Sequence, residues 1–359
     1  MATPSIQALR ALGQSLWLDN ITRQMLNDGT LQRYISDLSV TGLTSNPTIF
    51  DQAIKGSADY DADIRRLGGA ERSEEAVFFD LALEDLQRAA DLFRPVFDAT
   101  HGRDGWVSLE VSPLLVNDAA GTIKAAAELH ARAARANLFI KIPGTTAGLQ
   151  AIEETIFAGV PVNVTLLFSL AQCVAANEAY VRGIERRAAA GRSPNVASVA
   201  SLFISRWDRA VVGKAPAPLQ NRLGLAVAGR ALQVWHERHA AARWQKLAAA
   251  GAQSQRLLWA STGTKDPNVA ETLYVDSLAA PDTVNTIPEK TLLTVAERGD
   301  VKGAMPADGV AAAATMTQFA NAGIDETTLA AQLQAEGVAS FEASWHELMA
   351  RIATKRASV

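Results

Sequence analysis

The stretch LFIKIPGTTAGLQAIEETIFAGVPVNVTLLF, residues 138–168, has the pattern of a strand, a helix and a second strand. Two runs rich in apolar or β-branched residues, Leu138 to Pro143 and Val162 to Phe168, flank a segment whose apolar residues recur with the spacing of an α-helix. Thr145 precedes that segment and Gly159 follows it, where helix caps are expected. The stretch is therefore interpreted as one βα repeat followed by the strand of the next repeat.

The same alternation continues on both sides of this stretch. Six further runs have the composition of strands: Ser15 to Asp19, Val40 to Ser45, Trp106 to Ser112, Val199 to Ser205, Arg256 to Thr262 and, with a weaker pattern, Thr283 to Pro288. About eight βα units predict the α/β class and, within it, a (β/α)8 TIM barrel with extra helices. A doubly wound sheet is the alternative, because sequence alone does not order the strands.

The 359 residues contain no linker rich in proline, glycine or serine, so we predict a single barrel domain over residues 1–359. The segment PLQNRLGLAVAGRALQVWHERHAAARWQKLAAA, residues 218–250, is long enough for two helices. Two other regions, Ser57 to Glu75 and Asp325 to Val359, are expected to be a helical or loop insertion and a C-terminal helical tail added to the barrel.

Charge and composition exclude several classes of partner. Lys and Arg total 34 against 38 Asp and Glu, a net charge of -4, so no basic surface for nucleic acid or an anionic membrane is expected. No apolar run approaches the roughly 20 residues of a membrane span. The only cysteine, Cys173, cannot form an internal disulfide and is expected to be a buried, apolar residue. The start MATPSIQALRALG lacks the pattern of a secretory signal, so a cytoplasmic location is predicted.

In a (β/α)8 barrel the active site lies where the strands end and the βα loops begin. Polar residues at the ends of the strand candidates are therefore the candidates for chemistry. They are Asp19, Asn20, Thr44, Ser45, Asn46, Glu110, Lys141, Asn163, Thr165, Ser169, Ser201, Ser205, Arg206, Ser261, Thr262 and Lys265.

Lys141 stands between Ile140 and Ile142, which places its amine inside an apolar strand. Desolvation favours the neutral amine, the form that attacks a carbonyl to give an imine. Glu110 and Asp19 also have apolar neighbours, and two acids near one amine suit the proton transfers of imine chemistry. The alternative is a structural role, in which one acid forms an ion pair with Lys141 and the other caps a loop.

Two strand ends late in the chain pair a hydroxyl with a cation, Ser201 with Arg206 and Ser261 with Lys265. Barrels often bind a substrate phosphate at such a place. A surface salt bridge is the alternative for Lys265. The stretch GTTAG after Lys141 lacks the spacing of a nucleotide-binding loop, so no nucleotide is expected.

The histidines do not have the spacing of a metal site or of a seryl hydrolase, and no metal or cofactor is predicted. His236 and His239 are expected on the solvated face of a helix. The five histidines are His101, His130, His236, His239 and His346.

Several strand-end strings together resemble the transaldolase family. They are TGLTSNPTIF, VSLEVSP, LFIKIPGTTAGLQAIEE, NVTLLFSLAQ, SLFISRWD, ASTGTKDP and LYVDSLAAPDTVNTIPEKTL, and they cover Leu16 to Pro288 and a little beyond. The long inserts and TGTKDP are most similar to the subgroup found alone or fused to a glucose 6-phosphate isomerase domain.

The resemblance implies a (β/α)8 enzyme of the non-oxidative pentose phosphate pathway that uses a lysine Schiff base without cofactor or metal. Such an enzyme moves a dihydroxyacetone unit from sedoheptulose 7-phosphate to glyceraldehyde 3-phosphate, giving erythrose 4-phosphate and fructose 6-phosphate. Small sugar phosphates are its only implied partners. The sequence does not choose between a monomer and a homodimer.

The resemblance also implies a role for each matching residue. Lys141 resembles the imine-forming lysine, Asp19 the acid/base at the substrate C4 hydroxyl, and Glu110 the acid that acts through a water held by Thr165. The remaining matches are expected to bind substrate: Asn46, Asn163 and Thr44 at the dihydroxyacetone hydroxyls, and Ser201, Arg206, Ser261 and Lys265 at the phosphate.

The chain departs from the family pattern only near the phosphate. Leu202 stands where a proline commonly follows the serine, Ser205 where a glycine precedes the arginine, and Lys265 takes the place of an arginine. Two alternatives stay open: an aldolase that releases free dihydroxyacetone, and a catalytically silent barrel that binds sugar phosphates. Glu110 argues against the aldolase, which carries an amide at the matching position.

Overall fold

The computed structural model describes residues 3–69, 71–264 and 266–358. Eight parallel strands form a closed barrel in chain order, and the last strand pairs with the first. The strands are β1 (Ser15–Leu18), β2 (Val40–Thr44), β3 (Trp106–Glu110), β4 (Leu138–Pro143), β5 (Val162–Leu167), β6 (Ser198–Phe203), β7 (Arg256–Ala260) and β8 (Val284–Ile287). The prediction of a (β/α)8 barrel is confirmed, and the doubly wound alternative is wrong.

The strand candidates overlap all eight strands, and most of them extend one or two residues beyond the strand's end. The extra residues are largely the polar ones that turn into the βα loops, so this error in the strand bounds coincides with the place where chemistry is expected.

Helices surround the barrel, and the described residues contain more of them than the eight of a minimal barrel. They are α1 (Pro4–Ala11), α2 (Arg23–Asn27), α3 (Thr30–Leu38), α4 (Pro47–Gly56), α5 (Asp61–Leu67), α6 (Glu74–Ala99), α7 (Ala119–Ala133), α8 (Thr146–Ala158), α9 (Leu170–Ala189), α10 (Ser205–Ala210), α11 (Leu223–Ala240), α12 (Ala242–Ala249), α13 (Leu273–Ser277), α14 (Glu289–Arg298), α15 (Val310–Asn321) and α16 (Glu326–Ser358). Residues 218–250 do contain two helices, α11 and α12. In the part of the chain that the structure describes, no helix has the length and apolar character needed to cross a membrane.

The helix caps predicted around α8 are present. The Thr145 side chain accepts a hydrogen bond from the backbone N–H of Gly148, and Gly159 ends the helix with a left-handed φ of 96°. A Cβ on Gly148 would lie 1.9 Å from the carbonyl oxygen of Pro143. The glycine therefore lets the start of α8 approach the end of β4, the strand that carries Lys141.

The amino-terminal end of the barrel is filled by large and charged side chains. Trp17 Nε1 donates to Asp104 Oδ1 over 2.7 Å, and Arg256 Nη2 donates to Ser15 Oγ and to the Thr283 carbonyl over 2.6 and 2.8 Å. Asp104 also accepts a hydrogen bond from Ser15. These bonds satisfy buried polar groups at this end of the barrel, whereas the active sites of (β/α)8 enzymes lie at the carboxyl ends of the strands.

The C-terminal tail reaches the carboxyl ends of the strands, which composition did not indicate. Helix α16 packs against α4, α6 and β5. Gln334 Nε2 donates to the carbonyl oxygen of Gly144, which follows β4, and to that of Leu166, which lies within β5. The tail, expected only as an addition to the barrel, therefore forms part of the wall around the strand ends.

The insertion at residues 57–75 is helical only over α5 and the start of α6. It contacts the last turns of α16, because Lys355 Nζ donates to the Ser57 carbonyl over 2.8 Å and Arg356 Nη2 donates to the Gly69 carbonyl over 3.0 Å. The insertion thus anchors the terminal helix.

Candidate active site

Lys141 faces the barrel interior near the carboxyl end of β4. The register pairs it with Glu110 on β3 and with Asn163 on β5, so the three residues lie at one level of the barrel. Lys141 Nζ lies 3.2 Å from Glu110 Oε2 and 3.2 Å from the Ser45 carbonyl oxygen. Lys141 and Glu110 are 5% and 7% exposed, so this is a buried ion pair.

Both acids near the amine have a raised pKa. Burial raises the pKa of Asp19, against the opposing effects of Lys141 and of a hydrogen bond from Thr44. Burial also raises the pKa of Glu110, and the Lys141 amine opposes that shift. A carboxyl group with a raised pKa accepts a proton closer to neutral pH, which suits it to acid/base work.

Hydroxyl and amide side chains from the other strands surround the Lys141 amine near the carboxyl end of the barrel. Thr44 Oγ1 donates to Asp19 Oδ1 over 2.7 Å. Ser201 Oγ donates to Asn163 Oδ1 over 2.7 Å, and Asn163 Nδ2 donates to Ser108 Oγ over 3.2 Å. The orientation of the Asn163 amide is therefore fixed from both sides.

Thr165 presents a free hydroxyl to the interior. Its Oγ1 is buried and has no hydrogen-bond partner among the residues that the structure describes. The next residue, Leu166, adopts a left-handed φ of 56°, and its carbonyl oxygen is held by Gln334. A buried hydroxyl without a protein partner can bind a water molecule or a substrate hydroxyl.

Asn46 follows β2 and caps α4. Its side-chain oxygen accepts a hydrogen bond from the Ile49 backbone N–H over 3.0 Å. Within residues 3–69, 71–264 and 266–358 its Nδ2 makes no protein hydrogen bond, so this group can donate to a ligand.

Arg206 is a half-buried cation that belongs to none of the ion pairs found in the described chain. Its guanidinium lies 5.2 Å from the centre of the Phe203 ring. Burial lowers the pKa of Arg206, nearby Arg209 adds to this effect and Glu336 opposes it. An unpaired guanidinium of this kind is a ready partner for a phosphate or carboxylate.

One cavity of about 350 Å³ connects these groups. Its walls include eight of the eleven site residues expected from sequence: Asp19, Thr44, Asn46, Lys141, Thr165, Ser201, Arg206 and Ser261. Glu110 and Asn163 lie against it through Lys141 and Ser201. Lys265 lies outside the described residues.

Sequence reasoning missed several residues of the cavity wall. Thr286 on β8 forms a 2.6 Å hydrogen bond with Thr44. Phe341 on α16 lies with its ring centre 5.7 Å from Lys141 Nζ, and Phe203 lines the cavity beside Arg206. Thr286 lies in the strand candidate with the weakest pattern, where a threonine is an ordinary strand residue, whereas nothing in the sequence connects Phe341 with the strand ends.

The histidines lie away from the cavity wall. His236 is exposed, but the expectation of a solvated face is wrong for His239, whose ring lies 5.7 Å from that of Trp244 and 6.2 Å from that of Trp235. Burial lowers the pKa of His239 to about 4. Trp235 stands four residues before His239 on α11, so the helix period could have shown that contact, whereas Trp244 lies on α12 and its contact depends on how the two helices pack.

Comparisons with known proteins agree on one family. The family model described as Transaldolase/Fructose-6-phosphate aldolase matches residues 16–352. A curated transaldolase of Neisseria gonorrhoeae is 42% identical over 343 residues, which are 95% of this chain and 97% of the relative. A transaldolase of Acidothermus cellulolyticus is 43% identical over 358 residues, covering 98% of this chain and 96% of the relative. A transaldolase of Thiobacillus denitrificans is 42% identical over 349 residues, which are 95% of this chain and 97% of the relative. The family model covers the barrel from Leu16 onward and α16 as far as Ile352.

Proposed function

Because the chain belongs to the transaldolase/fructose-6-phosphate aldolase family, we propose that its cavity transfers a dihydroxyacetone unit from sedoheptulose 7-phosphate to glyceraldehyde 3-phosphate. The products are erythrose 4-phosphate and fructose 6-phosphate. The relatives' name supports transfer over release of free dihydroxyacetone. The observation that carries the proposal is the buried Lys141 amine, which opens into a cavity between two carboxylates.

The reaction begins with a proton transfer inside the Lys141 and Glu110 pair. The carboxylate lies 3.2 Å from the ammonium, and burial makes Glu110 a stronger base. Moving one proton to Glu110 leaves a neutral amine, which attacks the C2 carbonyl of the ketose to give a carbinolamine. Glu110 returns the proton to the departing hydroxyl, so that water leaves and a protonated imine remains. The free hydroxyl of Thr165 can hold that water.

Cleavage follows at the bond between C3 and C4. Asp19 takes the proton of the C4 hydroxyl, the C4 oxygen forms the new carbonyl, and the electron pair of the C3–C4 bond moves into the protonated imine. The first aldose leaves and an enamine stays on Lys141. Asn46 and Asn163 can hold its hydroxyls until glyceraldehyde 3-phosphate enters and the steps run in reverse.

Arg206 is assigned to the phosphate, and Ser201 and Ser261, whose side chains line the same cavity, are assigned to the same site. An unpaired guanidinium beside two hydroxyls can bind a phosphate through charge-assisted hydrogen bonds. A cytoplasmic location and a monomeric or dimeric state stay predictions from the sequence.

A transfer assay tests the proposal. With fructose 6-phosphate and erythrose 4-phosphate, we expect equal amounts of sedoheptulose 7-phosphate and glyceraldehyde 3-phosphate, and no free dihydroxyacetone. Release of dihydroxyacetone from fructose 6-phosphate alone would instead identify an aldolase. Absence of both reactions would identify a barrel that only binds.

A further inference from the structure

Three side chains from three neighbouring strands form a continuous hydrogen-bonded chain at the cavity wall. Thr44 Oγ1 lies 2.7 Å from Asp19 Oδ1 and 2.6 Å from Thr286 Oγ1. Thr44 and Thr286 are 2% and 3% exposed, and all three residues line the cavity. The barrel closure between β1 and β8 brings Thr286 to this position.

The direction of these bonds follows from counting protons. A hydroxyl has one proton to donate, and an ionised carboxylate can only accept. When Asp19 is ionised, Thr44 donates its only hydroxyl proton to the Asp19 carboxylate. The bond between the two threonines must therefore use the proton of Thr286, so Thr286 donates to Thr44 and Thr44 donates to Asp19.

The backbone holds both ends of this chain in place. The Asp19 N–H donates to the Ile287 carbonyl over 2.8 Å, so the two strand ends are joined next to the side chains. Thr262 Oγ1 donates to the Thr286 carbonyl over 3.0 Å. Thr286 is thereby fixed from β1 and from the end of β7, and its hydroxyl is preorganised toward Thr44.

We propose that Thr286 is a positioning residue for Asp19: by donating to Thr44 it directs the Thr44 proton to the Asp19 carboxylate and stabilises the ionised base. This inference rests on the proposed function, in which Asp19 takes the C4 hydroxyl proton. Hydrogen bonds in a row polarise one another, so the donor at the far end strengthens the bond at the carboxylate.

The groups that face Asp19 decide whether loss of the Thr286 donor raises or lowers the pKa of Asp19. Burial raises the pKa of Asp19, whereas the Lys141 ammonium on β4 and the Thr44 hydroxyl on β2 lower it. Glu110 on β3 faces the same amine, and Arg206 lies on the same cavity. A hydrogen bond to the charged form lowers an acid's pKa, so losing the Thr286 donor must raise it further.

The test uses Thr286→Val, which keeps the side-chain shape and removes the hydroxyl. In the transfer assay we expect kcat to fall roughly 3- to 10-fold with little change in KM. The acid limb of the kcat against pH profile should move up by about half a pH unit. Thr286→Ser, which restores the donor, should return both quantities toward the wild type. Thr286→Ala carries the same expectation if the valine variant does not fold.

Thr155→Val is the matched control, because its hydroxyl on α8 is buried without a partner in the described chain and lies outside the cavity wall. We expect it to keep the wild-type pH profile. Borohydride trapping of the imine from fructose 6-phosphate should be equal in the wild type and in Thr286→Val, since Asp19 acts after imine formation. A trapped imine with an unmoved acid limb overturns this inference alone. A wild type that forms no imine overturns the proposed function and, with it, this inference.

Discussion

Asp19 is assigned to one chemical step, so its loss should separate imine formation from cleavage. In Asp19→Asn the amide keeps the shape of the side chain but cannot take the C4 hydroxyl proton. We expect turnover to fall about 10²- to 10⁴-fold while borohydride still traps a six-carbon adduct from fructose 6-phosphate. Trapping and turnover are measured on the same sample. Turnover at the wild-type rate would remove Asp19 from the mechanism.

Arg206 is assigned to binding, and its neighbour provides a matched control. Both arginines lie on α10, but Arg206 lines the cavity whereas Arg209 is exposed and lies outside its wall. We expect Arg206→Ala to raise KM for phosphorylated substrates roughly 10- to 100-fold with a small change in kcat, because charge-assisted hydrogen bonds are lost. Arg209→Ala should leave KM nearly unchanged. Equal effects of the two substitutions would move the phosphate elsewhere.

Single residues differ in how far the sequence could identify them. Lys141 could be found because a lysine between two isoleucines of a buried strand is unusual. Thr286 could not, because threonine is ordinary in strands and its role depends on a partner from β2 brought near by barrel closure. The choice between a catalytic and a structural lysine was also open in the sequence, and the structure contains features of both: an ion pair with Glu110 and an adjoining cavity.

At the scale of elements, α16 supports the loop ends on either side of the cavity. Gln334 donates to carbonyls after β4 and within β5, and the second of these belongs to Leu166 in its left-handed conformation. For a non-glycine residue that conformation costs free energy, and it persists only where neighbouring contacts offset the cost. Gln334 therefore helps to keep the preceding Thr165 hydroxyl aimed into the cavity.

Replacing Gln334 tests this support. We expect Gln334→Ala to slow imine formation roughly 3- to 10-fold, measured as the rate of borohydride trapping, because Thr165 loses its fixed position. Gln332→Ala is the control, since Gln332 is exposed and its side-chain amide, among the described residues, donates to Glu336 on its own helix. Trapping rates that do not differ between the two variants would show that α16 does not position the loops.

The sequence indicated a helical tail but not where it packs. Helix formation in α16 is local, whereas its contacts join it to β4, β5 and α4, which are distant in the chain. The bounds of α8, in contrast, were readable from Thr145 and Gly159, because caps act within a few residues. Local signals in the sequence thus predict where a helix ends, but they do not predict which distant elements the helix packs against.

Across the whole molecule, the two ends of the barrel hold different side chains. Trp17, Asp104 and Arg256 occupy the amino-terminal end, and the cavity with Lys141 lies at the carboxyl ends of the strands. The eight strands could be predicted from composition. The sequence favoured a closed barrel but left a doubly wound sheet open, because closure depends on backbone pairing between β1 and β8, which lie far apart in the chain.

Cys173 reports on the integrity of the molecule as a whole. It is fully buried on α9, and burial raises the pKa of its thiol to about 12. The reactive thiolate is therefore scarce as well as covered. We expect a thiol reagent at mildly alkaline pH to modify the native protein about a thousandfold more slowly than the urea-unfolded chain, because labelling requires opening of the barrel's helical layer. Comparable rates would mean that α9 does not pack as described.

The mechanism depends on an imine between Lys141 and the ketose, and mass spectrometry can locate that adduct on the chain. The protein is incubated with fructose 6-phosphate and borohydride, digested, and mapped for peptides with an added sugar-derived mass. The wild type should carry one adduct, on Lys141, and Lys141→Ala should carry none while still unfolding in one cooperative thermal transition. An adduct on another lysine, or an unmodified wild type, would contradict the account.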